Sequence, residues 1–317
     1  MASRPSRNTC RVRTAVGAAA LLALALTPAF AQDSRTADQR ADTKMSKPAP
    51  ILVIYKEDVK AGRVQLHDDL EANFARTYSR IPGAQYYLAM NSISGPNQSW
   101  FMQPYNSLDE VQKEFQANLQ APVALRTSLQ RITGGELDNL SNQQAIQTVY
   151  REDLSYNASM ANLPNARYVE VVTYRVAPGH DADFAEAEKM VRAAHEKANE
   201  PISWATYQVF AGAPSGTYYV FRALDSLAKA DPTNTAMMRA MDQALGEDGM
   251  KRLMQLVADA HITREINFYA FNPKTSYAPP EFAAADSFWA QPAQMAHVGT
   301  SGKGAVVKTQ VVRKEKK

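Results

Sequence analysis

The passage ILVIYKEDVKAGR (51–63) returns as YVEVVTYRVAPGH (168–180), with Gly62 over Gly179 at an offset of 117. Each is a β-branched and aromatic run that stops at a glycine-containing turn and leads into a helical pattern. In the first helical stretch the apolar positions are Leu66, Leu70, Phe74 and Tyr78; in the second they are Phe184, Ala187, Val191 and Ala194. Both spacings predict amphipathic helices. Two β-prone runs follow each helix. AQYYLAMNSI (84–93) and SWFMQPY (99–105) flank Gly95-Pro96-Asn97, and SWATYQVFAG (203–212) and TYYVFRAL (217–224) flank Ala213-Pro214-Ser215-Gly216. Turn chemistry between aromatic runs is a hairpin signature.

The parallel continues downstream. NSLDEV (106–111) matches DSLAKA (225–230), with Asn106 and Asp225 as N-caps of a second helical region. GGELDNLSNQQAIQ (134–147) falls over GEDGMKRLMQLVADA (246–260), and RITGGEL (131–137) reads as a turn before a helix. VYREDLSY (149–156) and ITREINFY (262–269) close the two passages, with Arg151-Glu152 over Arg264-Glu265.

The order is β-α-β-β-α-β, twice, which is the ferredoxin-like split βαβ unit. A sheet covered by helices on one face leaves the other face apolar, and two such sheets can bury those faces on each other. The expected fold class is α+β: tandem ferredoxin-like units forming an intramolecular α+β barrel, a monomer with an internal pseudo-dimer. This pattern resembles the dimeric α+β barrel superfamily, including antibiotic-biosynthesis monooxygenase-like and NIPSNAP-like families, over roughly residues 50–275. The expected division is 1–31 signal peptide, 32–50 flexible leader, 51–160 unit 1, 166–275 unit 2 and 276–317 extended or disordered tail.

The first 31 residues carry Arg4, Arg7, Arg11 and Arg13, then an apolar run, then Ala29-Phe30-Ala31. That is the layout of a secretory signal, and the run from Ala15 to Leu26 is short of the roughly 20 residues a spanning helix needs. The expected product is exported, periplasmic or extracellular, with no membrane span. The whole chain has 35 Lys+Arg against 32 Asp+Glu; without those four arginines it is net −1. The tail from Gly302 carries six cations and one acid, so the body between is about −6. Such a body has no basic footprint for nucleic acid. Cys10 is the only cysteine and lies in the signal, which leaves no thiol for disulfides, metals or nucleophilic catalysis.

The superfamily resemblance implies a ligand pocket between a unit's sheet and its helices. The residues expected to serve it are Tyr78, His195, Trp204, Tyr207, Tyr219 and Arg222. His195 lies close to the apolar face of its helix, where a base, a haem ligand or a buried structural histidine are all open readings. The aromatics suit either a flat apolar ligand or a sheet buried on both faces. Arg222 has no charged counterpart in the first passage, where Pro104 stands, and suits an anionic ligand or solvent. His67, beside Asp68 and Asp69, is expected at an exposed helix start. His261 sits at a helix-to-strand junction, His180 in a turn and His297 in the tail. No pair of histidines has metal-ligand spacing, so no metal is expected, and no cofactor beyond a haem on His195 or His261, as in fused barrels related to chlorite dismutase. No catalytic constellation is legible. The expected function is binding of a small apolar or aromatic molecule, with the second unit holding the pocket; the alternative is a non-catalytic structural or interaction protein.

Overall fold

The structure, a computed structural model, describes residues 47–231 and 235–290. The expected signal peptide and His297 lie outside the described residues. The first half contains β1 (Ile51–Val59), α1 (Val64–Tyr78), β2 (Leu88–Ser92), β3 (Gln98–Tyr105), α2 (Leu108–Gln120), α3 (Val123–Glu136) and β4 (Leu140–Tyr150). The second contains β5 (Tyr168–Arg175), α4 (Asp181–Ala198), β6 (Ala205–Ala211), β7 (Thr217–Leu224), α5 (Thr235–Asp259) and β8 (Thr263–Phe271). A short helix, α6 (Pro280–Ala285), follows.

All neighbouring strands are antiparallel, and they close a barrel in the order β1-β3-β2-β8-β5-β7-β6-β4. The protein is thus an α+β chain built on an eight-stranded barrel. Within the halves the central ladders are long: β1 with β4 runs from Ile51↔Val149 to Val59↔Leu140, and β5 with β8 from Tyr168↔Ala270 to Arg175↔Thr263. Between the halves they are short. One seam pairs β2 with β8 from Met90↔Phe271 to Ser92↔Tyr269. The other pairs β4 with β6 from Gln147↔Ala211 to Tyr150↔Tyr207, with a bulge after Gln147.

Strand alternation sorts side chains to two faces. Leu52, Ile54, Trp100, Met102 and Ile146 of the first half turn into the barrel, where they meet Val169, Val171, Tyr207, Tyr219 and Tyr269. Trp100 stacks edge-on to Tyr219, ring centres 5.3 Å apart. The opposite faces lie under the helices. Both faces are therefore buried, which accounts for aromatics at adjacent positions such as Tyr218 and Tyr219.

The offset of 117 holds at the start of both strands and both following helices, Ile51 with Tyr168 and Val64 with Asp181. The last strands do not align as the sequence suggests. Ile54 pairs with Ile146 and Val171 with Asn267, so β4 and β8 correspond at an offset of 121. SNQQAIQT, not VYREDLSY, is the counterpart of ITREINFY; Arg151 has left the strand and Glu152–Leu154 is a 3-10 turn. The strand is hidden in sequence by its polar residues, of which Gln143 and Gln147 face the helices. The second helical regions are capped one residue later than expected, by the hydroxyls of Ser107 and Ser226. RITGGEL is helix as far as Glu136, not turn.

The start of the expected tail is folded. Phe282 and Trp289 are buried against the barrel interior, and Trp289 Nε1 donates to the carbonyl of Pro164 at 2.8 Å. Arg167 pairs with Asp286 and lies 4.3 Å over the Phe288 ring. Residues 276–290 plug one end of the barrel because their rings have nowhere drier to go. The end of the leader is ordered too: the carbonyl of Ala49 accepts from Tyr207 Oη at 2.9 Å.

Candidate functional site

The helix-facing side of the first half carries an open cavity of about 640 Å³. Its floor is the alternate residues of three strands: Val53, Tyr55 and Glu57 of β1, Phe101, Gln103 and Tyr105 of β3, and Gln143, Ala145 and Gln147 of β4. Its roof comes from α1, α2 and α3. The helix α2 buries none of its residues, and Leu108, Phe115 and Leu119 on it are half or more exposed.

The buried face of α1 is not the apolar stripe expected. Leu66 is exposed, while His67, Glu71, Ala75 and Tyr78 are buried, at spacings of four, four and three. One helix face so spaced points His67 and Glu71 at the sheet together. There they meet Glu57 of β1 and Glu136 at the end of α3. His67 Nδ1 hydrogen-bonds Glu136 Oε1 and lies 3.8 Å from Glu57 Oε2. Gln143 Nε2 donates to Glu57 Oε1 at 2.6 Å. Burial, with Glu136 adding to it, holds the Glu57 carboxyl above its ordinary range, against the pull of His67 and Gln143. Glu71 is pushed well above that range by burial first, then by Glu57, Glu136 and Asp68. Glu57, Glu71 and Glu136 all line the cavity.

A second polar pole lies across the cavity. The hydroxyls of Tyr78 and Tyr105 both donate to the carboxylate of Glu114 on α2. Burial and then Glu114 drive the Tyr78 phenol upward, so it stays protonated at any working pH. Between the poles the walls are apolar, with Phe74, Phe101 and Phe115. The Tyr87 hydroxyl also borders the space, buried and without a hydrogen-bond partner. No Lys or Arg lines the cavity among the described residues.

The six residues expected to form a site do not converge. Tyr78 alone lines this cavity. Trp204 and Tyr207 border a smaller, apolar space of about 160 Å³ at the plugged end of the barrel. Tyr219 lies in the barrel core against Trp100. Arg222 lines neither cavity and does not face open solvent; its charge is met by the carboxylate of Glu170 directly opposite on β5. His195 is buried, bonded through Nδ1 to Glu200, and its ring packs 5.2 Å from that of Trp204 and 6.1 Å from that of Tyr156. His261 is exposed, in the left-handed region at φ +45 between α5 and β8. Neither histidine lines either of these two cavities. His180 precedes α4 and holds Asp183 at 2.7 Å, as a turn residue would. The space corresponding to the closed end of the large cavity is filled in the second half by Phe184, Tyr218 and Val176.

His67 is the largest correction to the sequence reading: it is 1 % exposed, at the centre of the cluster. Glu57, Glu71, Glu114 and Glu136 were not singled out from sequence at all. The signal available was His67 and Glu71 four apart on a helix, a spacing that brings two ligating side chains together.

No family model matches the chain, and no curated protein matches it. Among solved structures it is similar to an anthrone oxidase-like protein, at 12% identity and a TM-score of 0.45, covering 70% of this chain and 91% of that one. A putative monooxygenase from Fusobacterium nucleatum matches at 14% identity and a TM-score of 0.42, covering 71% and 93%. A mutant chlorite dismutase from Candidatus Nitrospira defluvii matches at 10% identity and a TM-score of 0.43, covering 78% and 98%. Likenesses this distant carry no activity or cofactor over to this chain.

Proposed function

We propose that this chain is an exported binding protein for a small aromatic molecule, neutral or cationic, held in the cavity of its first half. In this reading residues 51–160 and 166–275 are tandem ferredoxin-like units of one ancestral kind, working as a monomer. The observation that carries the proposal is the cavity itself: aromatic walls, two acceptor-rich poles and no lining cation. Rings would contact Phe74, Phe101 and Phe115, and hydroxyl or amino groups would donate to Glu114 at one pole and to the glutamates at the other. An anion would face four carboxylates with one imidazole beside them, which disfavours it. The structural alternative has one observation in its favour, the exposed apolar residues of α2, but two of them, Leu108 and Phe115, also border the cavity and read equally as its cover.

The test uses 2-naphthol and 2-naphthoate as probes, followed by calorimetry and native mass spectrometry. The neutral phenol is expected to bind at least about tenfold more tightly than the carboxylate. Ala145→Trp, which puts an indole into the cavity from β4, is expected to abolish that binding. Equal affinity for the two probes, or full binding in Ala145→Trp, would overturn the proposal.

A further inference from the structure

The closed end of the cavity gathers four side chains of metal-ligand chemistry from three elements. One ligand atom each of Glu57, His67, Glu71 and Glu136 lies within 4.8 Å of the others. All four residues are more than nine-tenths buried, at 4%, 1%, 8% and 3% exposure. Yet their polar atoms are incompletely satisfied. Glu57 Oε2, 3.8 Å from His67 Nδ1, has no hydrogen-bond partner, and neither do Glu136 Oε2 and His67 Nε2. Buried carboxylate oxygens without donors are rare, because burial removes the water that would otherwise serve them. A proton between His67 and Glu136 answers for one pair of atoms and leaves the other acids facing each other.

We propose that Glu57, His67, Glu71 and Glu136 form a binding site for a divalent first-row transition ion. An ion would supply what the cluster lacks, positive charge at the point where the carboxylates converge. The donor set defines the class. One imidazole with three carboxylates and no thiolate suits manganese, ferrous iron or zinc. Calcium and magnesium favour all-oxygen sets, and cuprous copper favours sulfur. The surroundings have the features of a built site. Gln143 holds Glu57 Oε1 and thereby fixes the direction of Oε2, as outer partners of metal carboxylates do. The three glutamates border the cavity, which gives the ion a path in and leaves one side open to a small molecule.

The second half provides an internal comparison. At the offset of 117, the positions of Glu57, His67 and Glu71 hold Tyr174, Phe184 and Glu188. Tyr174 and Phe184 close the space with rings 5.2 Å apart, and a single acid persists. The fold therefore does not require the cluster; the same position can be filled by a hydrocarbon core. This inference rests on the cluster and not on the aromatic walls, although the same three glutamates form one pole of the proposed ligand site. The metal titration is run without the naphthalene probes, and the probe titration on the metal-free chain, so that failure of one reading is distinguishable from failure of the other.

The test strips the purified protein with a chelator, then titrates the folded apo chain separately with Mn(II), Zn(II) and Co(II). Uptake of one ion per chain is expected for at least one of them. It should come with a raised thermal midpoint and, for Co(II), visible d–d absorption. Glu57→Gln and Glu136→Gln are each expected to weaken uptake about a hundredfold, Gln143→Ala about tenfold, and Glu188→Gln not at all. Should the ligand variants fail to fold, the wild-type titration still decides. No uptake by folded wild-type protein up to about 100 µM metal, well above the micromolar Kd expected, would overturn the proposal. So would one-to-one uptake that survives undiminished in folded Glu57→Gln and Glu136→Gln.

Discussion

Glu188 ties the stability of the second half to pH. It lies on the inner face of α4, 8% exposed, and burial raises its carboxyl from 4.5 to about 7, with Arg264 and Tyr174 pulling the other way. The folded chain thus holds this proton more tightly than the unfolded chain does. Its contribution is fully present below pH 4.5, declines as pH rises towards 7, and is constant above, where an ionised carboxylate stays buried. The gap between 4.5 and about 7 corresponds to about 3 kcal/mol. The attraction of Arg264 is already inside that figure, and Arg264 is exposed, so removing its partner leaves it in water. Glu188→Gln mimics the protonated acid in shape and charge. At pH 5 it should exceed the wild type by no more than about 1 kcal/mol. At pH 8 it should be more stable by up to about 3 kcal/mol, or several degrees in Tm for a chain of this size. Urea titrations of both proteins at pH 5, 6, 7 and 8 measure the difference, and taking the difference cancels the buried acids of the first half. A difference that stays flat over this range would refute the reasoning. So would a wild type that gains on the variant as pH rises.

Three other substitutions test the packing and the closure. Trp289→Ala should cost about 3–5 kcal/mol in a urea titration, because the indole is buried at the plugged end of the barrel; a loss below about 1 kcal/mol would mean the plug is not part of the core. Gly212→Ala should destabilise clearly more than Gly62→Ala. Both glycines sit at positive φ, but a Cβ at 212 would stand 2.0 Å from the carbonyl oxygen of Ala145, whereas one at 62 meets nothing within 4 Å and bears only the strain of about 1–2 kcal/mol. Equal losses would refute the close approach.

The barrel was legible because its signals are local. Glycine turns, alternating β-branched residues and the spacing of Phe184, Ala187, Val191 and Ala194 each fix an element without reference to the rest of the chain. β4 was missed because Gln143 and Gln147 face a cavity, and a strand lining a cavity does not alternate as a strand over a dry core does. A chance Arg-Glu match then drew the alignment onto VYREDLSY. The site was hidden for a related reason. Helix faces are read on the rule that apolar residues turn inward, and α1 breaks it: His67 and Glu71 go in, Leu66 stays out. The fold of residues 276–290 was obscured by proline and alanine, although Phe282, Phe288 and Trp289 in so short a stretch asked for burial. Which polar groups converge depends on three elements meeting, and no single segment records that.

A cylinder of strands has no free edge, yet this one is not equally strong around its circumference. The central ladders of each half run over eight or nine residues, while the two seams join three and four residues of each strand, no more than the hairpin ladders of β2 with β3 and β6 with β7. The barrel therefore parts most readily between its halves, because the equally short ladders of β2 with β3 and β6 with β7 are each also tied by a hairpin turn. A chain opened there would offer another chain the same edges it normally offers itself. Concentration during folding would then select between a self-closed cylinder and two chains that have traded halves, with the same hydrogen bonds in either product.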